Sequence, residues 1–395
     1  MRLLYITQID IANNFGYARK IFNQLRAFNN AGIETYLIAF KGETIVFGSF
    51  TIRYGFEEMN QVELRKITNK YIKRIYYSRR FPIFCTSIME KYNFEFVYIR
   101  RIVPVTSFLL RFIRKFRTHS TIFYEYPTFP WKKEMFKNFN KAFFFLELLY
   151  YKKLVKSVNY ILAIYPENFK LKSYERSKFI KIGNGIYVDD YPRKLPKKSD
   201  TITLLSVAYV QSWHAYDRII KGLYEYYKNN PKKEVFYHCV GDGAELDNLK
   251  KLTKELSLEK YIIFHGTKTG QELDKIFDES DIALGSLGNH RKGLNSGSAL
   301  KNREYCARGI PFVIEFSDQD FPESFPYILK IPSDESPVDV SKIVEWYEEL
   351  TQSHPNYSIE MRKYAEEHLS WDEKMKPVIE KIKELAREKE RKTNT

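Results

Sequence analysis

The chain has 395 residues, is 44% hydrophobic and carries a formal net charge of +15. That length fits two α/β domains of ordinary size better than one. Cys85, Cys239 and Cys306 have neither metal-site nor disulfide spacing, and no apolar run in the chain approaches the ~20 residues that span a bilayer, which excludes a disulfide scaffold, a cysteine metal centre and a transmembrane helix.

In chain order, residues 2–6 read as a first apolar strand, followed by a loop from Asp10 to Tyr17 that contains Gly16. A helix is expected from about Ala18 to Asn30, opened by Arg19 and Lys20, and then a strand at 35–39. Further strands are expected to end at Arg100-Arg101 and, after Thr121 to Tyr124, at Glu125-Tyr126. Either arginine at the end of a parallel strand can meet an acceptor phosphate through charge-assisted hydrogen bonds. Glu125 is either a hydrogen-bonding or basic group, or a strand-end carboxylate paired with Arg100 or Arg101. The Pro192–Asp200 stretch reads as an interdomain connection.

Charge is distributed unevenly. Residues 1–190 hold 32 Lys and Arg against 15 Asp and Glu, and residues 191–395 hold 32 against 34. In the first half the basic residues alternate with aromatics at 71–81, 108–117 and 131–141. Such stretches suit an anionic lipid–water interface, and also the plainer arrangement of core aromatics under solvated basic faces. No Gly-x-Gly-x-x-Gly follows the first strand, so a nicotinamide site is not expected.

In the second half, strand and helix signals alternate, as in parallel α/β sheets. A strand near 203–210 leads through His214 into a helix, and a second strand runs into Gly241-Asp242-Gly243. A strand at 262–266 and an apolar segment at 281–285 follow. The densest segment is Asn295 to Pro311. There a small-residue loop, Ser296-Gly297-Ser298, opens a helix whose Lys301 and Glu304 lie three residues apart, on one face. Free amides and the positive dipole end at a helix N-terminus bind phosphate. A cation beside a carboxylate then suits a nucleoside diphosphate, with the ammonium at phosphate oxygens and the carboxylate at ribose hydroxyls. Gly309 and Pro311 end the helix. Arg291 and Lys292 are further candidates for the diphosphate, or an exposed loop pair. Asp318 and Asp320 have an Asp-x-Asp spacing that can hold a metal ion.

These segments resemble the retaining family 4 glycosyltransferases of GT-B fold, in their polysaccharide-assembling branch. Glu304-Tyr305-Cys306-Ala307-Arg308-Gly309-Ile310-Pro311 matches the second half of that family's donor motif. Ser296 stands where the family has its first Glu, Tyr209 where it has an Arg, and His214 where it has a Lys. The turn at Gly241 and the hinge-like Gly183-Asn184-Gly185 also correspond, and the segment 361–372 resembles the closing pattern in which the last helix returns to the first domain.

The resemblance implies a GT-B architecture, with two Rossmann-like parallel-sheet domains, 1–190 and 191–370, facing a cleft, and a final segment 371–395. It implies transfer of a hexose-type sugar, with retention and without metal or other cofactor, from a nucleotide-diphosphate sugar to a glycan or lipid-linked glycan. The implied donor site comprises Gly16, His214, Gly241, Asn295, Ser296, Gly297, Ser298, Lys301 and Glu304. Lys301 and Glu125 are the expected catalytic groups, and Arg19, Arg100, Arg101 and Tyr126 the expected acceptor contacts. A cytoplasmic protein, peripheral on an anionic membrane face and with no nucleic-acid partner, is expected. A sugar-nucleotide epimerase on the same fold and a non-catalytic partner subunit are the alternatives.

Overall fold

The structure, a computed structural model, describes residues 1–13, 15–138, 141–165, 169–194 and 200–393. Asn14 of the first loop, residues 139–140 of the third aromatic-basic stretch and residues 195–199 of the expected connection lie outside them. The chain forms two compact units, Met1–Gly183 with Trp371–Thr395, and Asn184–Ser370.

The first unit runs β1 (Arg2–Asp10), α1 (Phe15–Asn30), β2 (Glu34–Lys41), β3 (Thr44–Thr51), β4 (Gly55–Glu63), α2 (Lys70–Lys91), β5 (Phe96–Arg100), α3 (Ser107–Phe116), β6 (Thr121–Tyr126), α4 (Trp131–Asn138), α5 (Lys141–Ser157), β7 (Tyr160–Ala163), the single-turn α6 (Ser173–Arg176) and β8 (Phe179–Lys181). Its eight-stranded sheet has the order β4-β3-β2-β1-β5-β6-β7-β8. Leu3 to Ile6 are buried, as expected for a central parallel strand covered on both faces. The sheet is not wholly parallel. β2–β3 and β3–β4 pair antiparallel, the first through the two-residue connection Gly42-Glu43. No strand is expected from sequence in 44–63, yet β3 there is largely buried, and β4 is almost entirely exposed and lacks a buried-strand signature. Chain order reverses between β1 and β5, so a crevice opens beyond the C-terminal ends of those two strands.

The second unit runs β9 (Thr201–Val207), α7 (Tyr216–Lys228), β10 (Glu234–Val240), α8 (Leu246–Glu255), β11 (Ile262–Gly266), α9 (Gly270–Glu279), β12 (Ile282–Leu284), β13 (Ser296–Gly297), α10 (Leu300–Arg308), β14 (Phe312–Ile314), β15 (Ser317–Asp318), β16 (Ile328–Lys330), α11 (Val340–Ser353) and α12 (Tyr357–His368). The main sheet, β11-β10-β9-β12-β14-β16, is parallel throughout, and its order reverses between β9 and β12. At the end of β10, Gly241 has φ +125°, and a Cβ there would lie 1.8 Å from the Ala208 carbonyl. Only glycine lets the two strand ends converge so closely. The final helix, α13 (Trp371–Thr393), belongs to the first unit. Its Trp371 is buried, its Asp372 accepts from Asn30 at 3.0 Å, and Met375 Sδ lies 3.8 Å from Gln24 Nε2.

Candidate functional site

In the second unit the candidate residues gather beyond the C-terminal ends of β9, β10 and β12. The connection after β9 makes a 3-10 turn at Ser212–His214, and Ala215 in the left-handed region (φ 50°) then starts α7. This turn tucks His214 inside, 8% exposed. The backbone N–H of Gln211 donates to His214 Nδ1 at 3.0 Å, which assigns the ring proton to Nε2. Burial, with Lys301 and Lys292 adding repulsion, lowers the imidazole pKa to about 2. A histidine in a phosphate site is ordinarily a cation whose charge depends on pH. Inside the fold His214 is a neutral imidazole whose Nε2–H remains a donor.

The His214 ring stacks on Tyr216, centroids 5.4 Å apart, and the Tyr216 hydroxyl accepts from Lys301 Nζ at 3.1 Å. Lys301 is partly exposed along its stem, but its ammonium lies inside. Burial lowers its pKa to about 7. One turn later on α10, Glu304 accepts from Arg308 Nε at 3.0 Å, and Arg308 also pairs with Asp274 at 2.8 Å. Glu304 keeps 22% side-chain exposure. No side chain caps the start of α10, and its first turn holds no carboxylate, so its amides and dipole are directed at the space that Lys301 borders.

The 295–298 loop is more ordered than its composition suggests. Ser296 and Gly297 form β13, which pairs in parallel with Ser317 and Asp318 of β15, and the Asn295 carbonyl accepts from Ser317 N–H at 3.0 Å. Ser298 Oγ donates to Asp320 at 3.0 Å and accepts from the Asn184 N–H at 3.2 Å. Its hydroxyl therefore braces the loop. Beneath it lies Arg303, fully buried and absent from the sequence reading. It donates to Asp318 Oδ1 at 2.7 Å, to the Ala299 carbonyl at 2.9 Å, and also to Asp320. The Asp318-x-Asp320 spacing thus serves a buried guanidinium.

Two further expectations receive structural explanations. Arg291 sits between Asp217, at 3.0 and 3.1 Å, and Glu335, at 3.0 Å, so it anchors its loop. Lys292 lies 4.7 Å from the Trp213 ring. Gly241 acts through the strand convergence described above. Tyr216 left no motif by which to find it, being simply an aromatic at the start of a helix.

In the first unit, Glu125 ends β6 with no exposed surface. Its carboxylate accepts from Arg100 at 2.8 Å, Tyr98 Oη at 2.9 Å and Lys20 at 3.1 Å. Burial alone would raise its pKa, but Arg100 and Lys20 outweigh this and hold it at about 2. A carboxylate so buried and so paired cannot serve as the expected base, because it neither reaches substrate nor takes a proton near neutrality. The structure makes it a positioning group. Tyr126 is likewise buried, its hydroxyl 3.3 Å from Glu147, and faces the core instead of an acceptor. Arg19 and Gly16 are exposed on α1, and a Cβ at Gly16 would meet nothing within 4 Å.

Arg100 and Arg101 line a cavity of about 640 Å³ at the β1/β5 switch point. The ends of β1 and β2 and the start of α2 complete it, with Lys70, Lys73 and Arg74 on α2 and Tyr17, Phe40 and Tyr77 as aromatic wall. Its one lining carboxylate, Asp10, is held by the amides of Ala12 at 3.0 Å and Gly42 at 3.2 Å. Arg100 pairs with Glu125, Arg101 lies 3.7 Å from Glu147 and Lys73 pairs with Glu43 at 2.6 Å, so the lining is basic but largely ion-paired, beside an aromatic wall.

Two doubly wound sheets, each with its crevice at a switch point, recur in solved structures. A glycosyltransferase from Rickettsia africae ESF-5 aligns over 98% of both chains with a TM-score of 0.66 at 13% identity. The fold is GT-B. Anabaena Alr3699/HepE in complex with UDP aligns over 97% of this chain and 100% of that one, TM-score 0.62, at 12% identity. WaaG, a glycosyltransferase involved in lipopolysaccharide biosynthesis, aligns over 96% and 99%, TM-score 0.59, at 13% identity. Residues 188–325 match the family described as Glycosyl transferases group 1. No curated protein matches the chain. The stretch that matches this family model contains His214, Gly241, the 295–298 loop, Lys301 and Glu304, together with Tyr216 and Arg303.

Two expectations follow from the charges. Glu125→Gln leaves Lys20 and Arg100 buried without their anion and should destabilise the protein by about 3–5 kcal/mol. Because the folded pKa lies below the ordinary 4.5, the native pairing contributes stability above that pH and loses it as pH falls toward about 2. Thermal melts between pH 2 and pH 5 should show this dependence in the parent and a shallower one in the variant.

For Lys301 the sign is opposite. A lysine held at about 7 instead of 10.5 costs stability at low pH, and the cost fades as pH rises from about 7 to 10.5. Nucleoside diphosphate affinity should fall as pH rises through about 7, where the cation is lost. Lys301→Met should raise the melting temperature of the free protein and flatten that affinity profile, whereas His214→Gln should leave its midpoint in place. Titration calorimetry of the three proteins in the same buffers cancels the ligand's own phosphate ionisation. A midpoint that moves with His214→Gln would assign the charge to the wrong residue.

Proposed function

We propose that the second unit holds a nucleotide-diphosphate sugar and that the chain transfers its sugar to an acceptor held by the first unit. The observation that carries this reading is the Lys301 ammonium, buried beside the His214 Nε2–H donor at the uncapped start of α10. A site that depresses a lysine toward neutrality regains that cost when a diphosphate supplies the missing negative charge. Glu304, on the same helical face and still partly exposed, is then placed to accept from ribose hydroxyls. The complex of the structurally similar Anabaena Alr3699/HepE makes UDP the first nucleotide to try.

In the proposed reaction the bond between the sugar C1 and the β-phosphate oxygen breaks, and an acceptor oxygen bonds to C1. Charge grows on the departing diphosphate, and Lys301, His214 Nε2–H and the amides of α10 stabilise it where it grows. The acceptor proton passes to the departing phosphate. Because Glu125 is ion-paired within the fold, this same-face route with retention suits the chain better than one needing a carboxylate nucleophile or base. With Asp318 and Asp320 occupied by Arg303, we assign the charge neutralisation to protein cations. The acceptor is a glycan or lipid-linked glycan of cell-surface polysaccharide assembly, with an anionic group in the basic cavity. A hexose as the sugar, and a cytoplasmic, membrane-peripheral setting, complete the proposal.

The test is a thermal-shift series with UDP, GDP and ADP against the corresponding nucleosides. A ligand that binds only the folded state raises the melting temperature, and one diphosphate should do so well beyond its nucleoside. No shift with any of them would favour a non-catalytic subunit, and turnover of the donor sugar without acceptor would favour an epimerase. Glu304→Ala should cost about 2–4 kcal/mol of donor binding, the loss of charged hydrogen bonds to ribose. Calorimetry should show a similar loss for the ribonucleoside diphosphate and almost none for its 2′,3′-dideoxy analogue. Equal affinity of parent and variant for the ribonucleotide would reject the assignment.

A further inference from the structure

The outward face of a helix on a water-soluble domain is ordinarily polar. On two helices of the first unit this rule is broken. Along α2, Tyr71, Ile72, Ile75 and Ile83 are exposed, Ile75 to 69%. Along α5, Phe145, Leu148 and Leu149 are exposed, Phe145 to 65% and Leu149 to 60%. These positions recur at spacings of three and four residues, so each helix turns an apolar stripe to the outside in addition to the stripe it buries.

The helices adjoin. α3 packs against both α2 and α5, and the Arg74 guanidinium of α2 lies 4.7 Å from the Phe143 ring of α5. Arg79 of α2 and Arg111 of α3 flank the Phe108 ring at 5.8 and 4.7 Å. The outer side of α3, with Arg111 and Arg114 exposed, sets a basic strip beside the apolar stripes. Across α2, α3 and α5 there are thirteen Lys and Arg against two carboxylates, and of those Glu147 is buried and Glu90 is paired with Lys115. Among the described residues no helix is long and apolar enough to cross a membrane.

We propose that this face of α2, α3 and α5 docks on an anionic lipid bilayer. The apolar tips of Ile72, Ile75, Phe145, Leu148 and Leu149 enter the headgroup boundary, and the surrounding lysines and arginines meet lipid phosphates. Charge complementarity chooses the occupant. A second copy of the chain would bring its own cations to the same face and be repelled, whereas an anionic leaflet neutralises them. The opposite side of α2 supplies Lys70, Lys73 and Arg74 to the 640 Å³ cavity, so a docked protein holds that cavity beside the bilayer surface. Surface docking deepens the membrane-peripheral setting of the proposed function, and because it is measured without turnover its failure is distinguishable from failure of the glycosyl-transfer reading.

The experiment is co-sedimentation of the full chain with vesicles of phosphatidylcholine alone and of phosphatidylcholine mixed with phosphatidylglycerol, at low and high salt. The protein should pellet with the anionic vesicles only and leave them in high salt, since exposed charges are screened over about 8–10 Å at ordinary ionic strength. The combined variant Ile75→Glu, Phe145→Glu, Leu149→Glu should pellet about tenfold less, since it removes apolar contact and adds repulsion. Its exposed positions should leave the melting temperature unchanged. If it nevertheless fails to fold, Arg79→Gln with Arg111→Gln replaces it, with weaker pelleting expected. Equal pelleting with both vesicle types, or a folded variant that pellets like the parent, overturns the proposal. So does sedimentation velocity showing a parent dimer that the variant breaks, with no lipid binding by either.

Discussion

The donor-side geometry depends on one buried guanidinium. Arg303 joins three pieces of chain that are distant in sequence: Asn184 at the start of the unit, Ala299 at the foot of α10, and Asp318 with Asp320 after β14. A charge with no exposed surface must be paired, and only a bidentate carboxylate plus carbonyls satisfies a guanidinium. The need to satisfy Arg303 therefore fixes where the 295–299 segment lies, and through it the start of α10 and the position of Lys301. Gly309 closes the other end of the helix with φ +69°, where a Cβ would lie 2.4 Å from the Ser358 carbonyl. Held at both ends, α10 presents its uncapped amides and its lysine in one orientation.

The first unit repeats the device with the signs exchanged. There a buried carboxylate, Glu125, gathers Lys20 from α1, Arg100 from β5 and Tyr98 beneath them. Glu125 lies beside the end of β5, next to the reversal of strand order between β1 and β5. A buried charge cluster there makes the crevice stiff. It costs desolvation, but it prevents the strand ends from relaxing into the space that a ligand would fill.

The architecture was legible because it is written in long patterns: strands at 2–6 and 203–210, the second found at 201–207, helices between them, glycines at the turns. The end of α10 was legible too, since Gly309 and Pro311 mark a helix stop, and the spacing of Lys301 and Glu304 puts them on one face. What could not be read was environment. His214 looked like a loop histidine, and the turn that buries it consists of ordinary residues. Glu125 looked like a strand-end acid; a pairing with Arg100 was foreseeable, but Lys20 approaches from 105 positions away. Arg303 sits two residues from Lys301 and points the other way, a distinction that depends on which side of a nine-residue helix meets Asp318. Of the β3–β4 hairpin, the buried β3 went unread beside β4, a solvent-facing strand with no buried face to betray it.

That hairpin has a consequence of its own. By adding two strands outside β2, it places β1 and its crevice well inside the sheet and makes β4 the free edge. Nine residues of unpaired backbone would be a template for joining another chain. β4 carries Glu57, Glu58 and Glu63 and no Lys or Arg, although the surrounding unit is strongly basic. Two such edges brought together would set carboxylates against carboxylates. The acidic strip thus acts as a local guard against sheet-to-sheet association, and it lets the rest of the unit stay cationic without risking fibrous growth at this border.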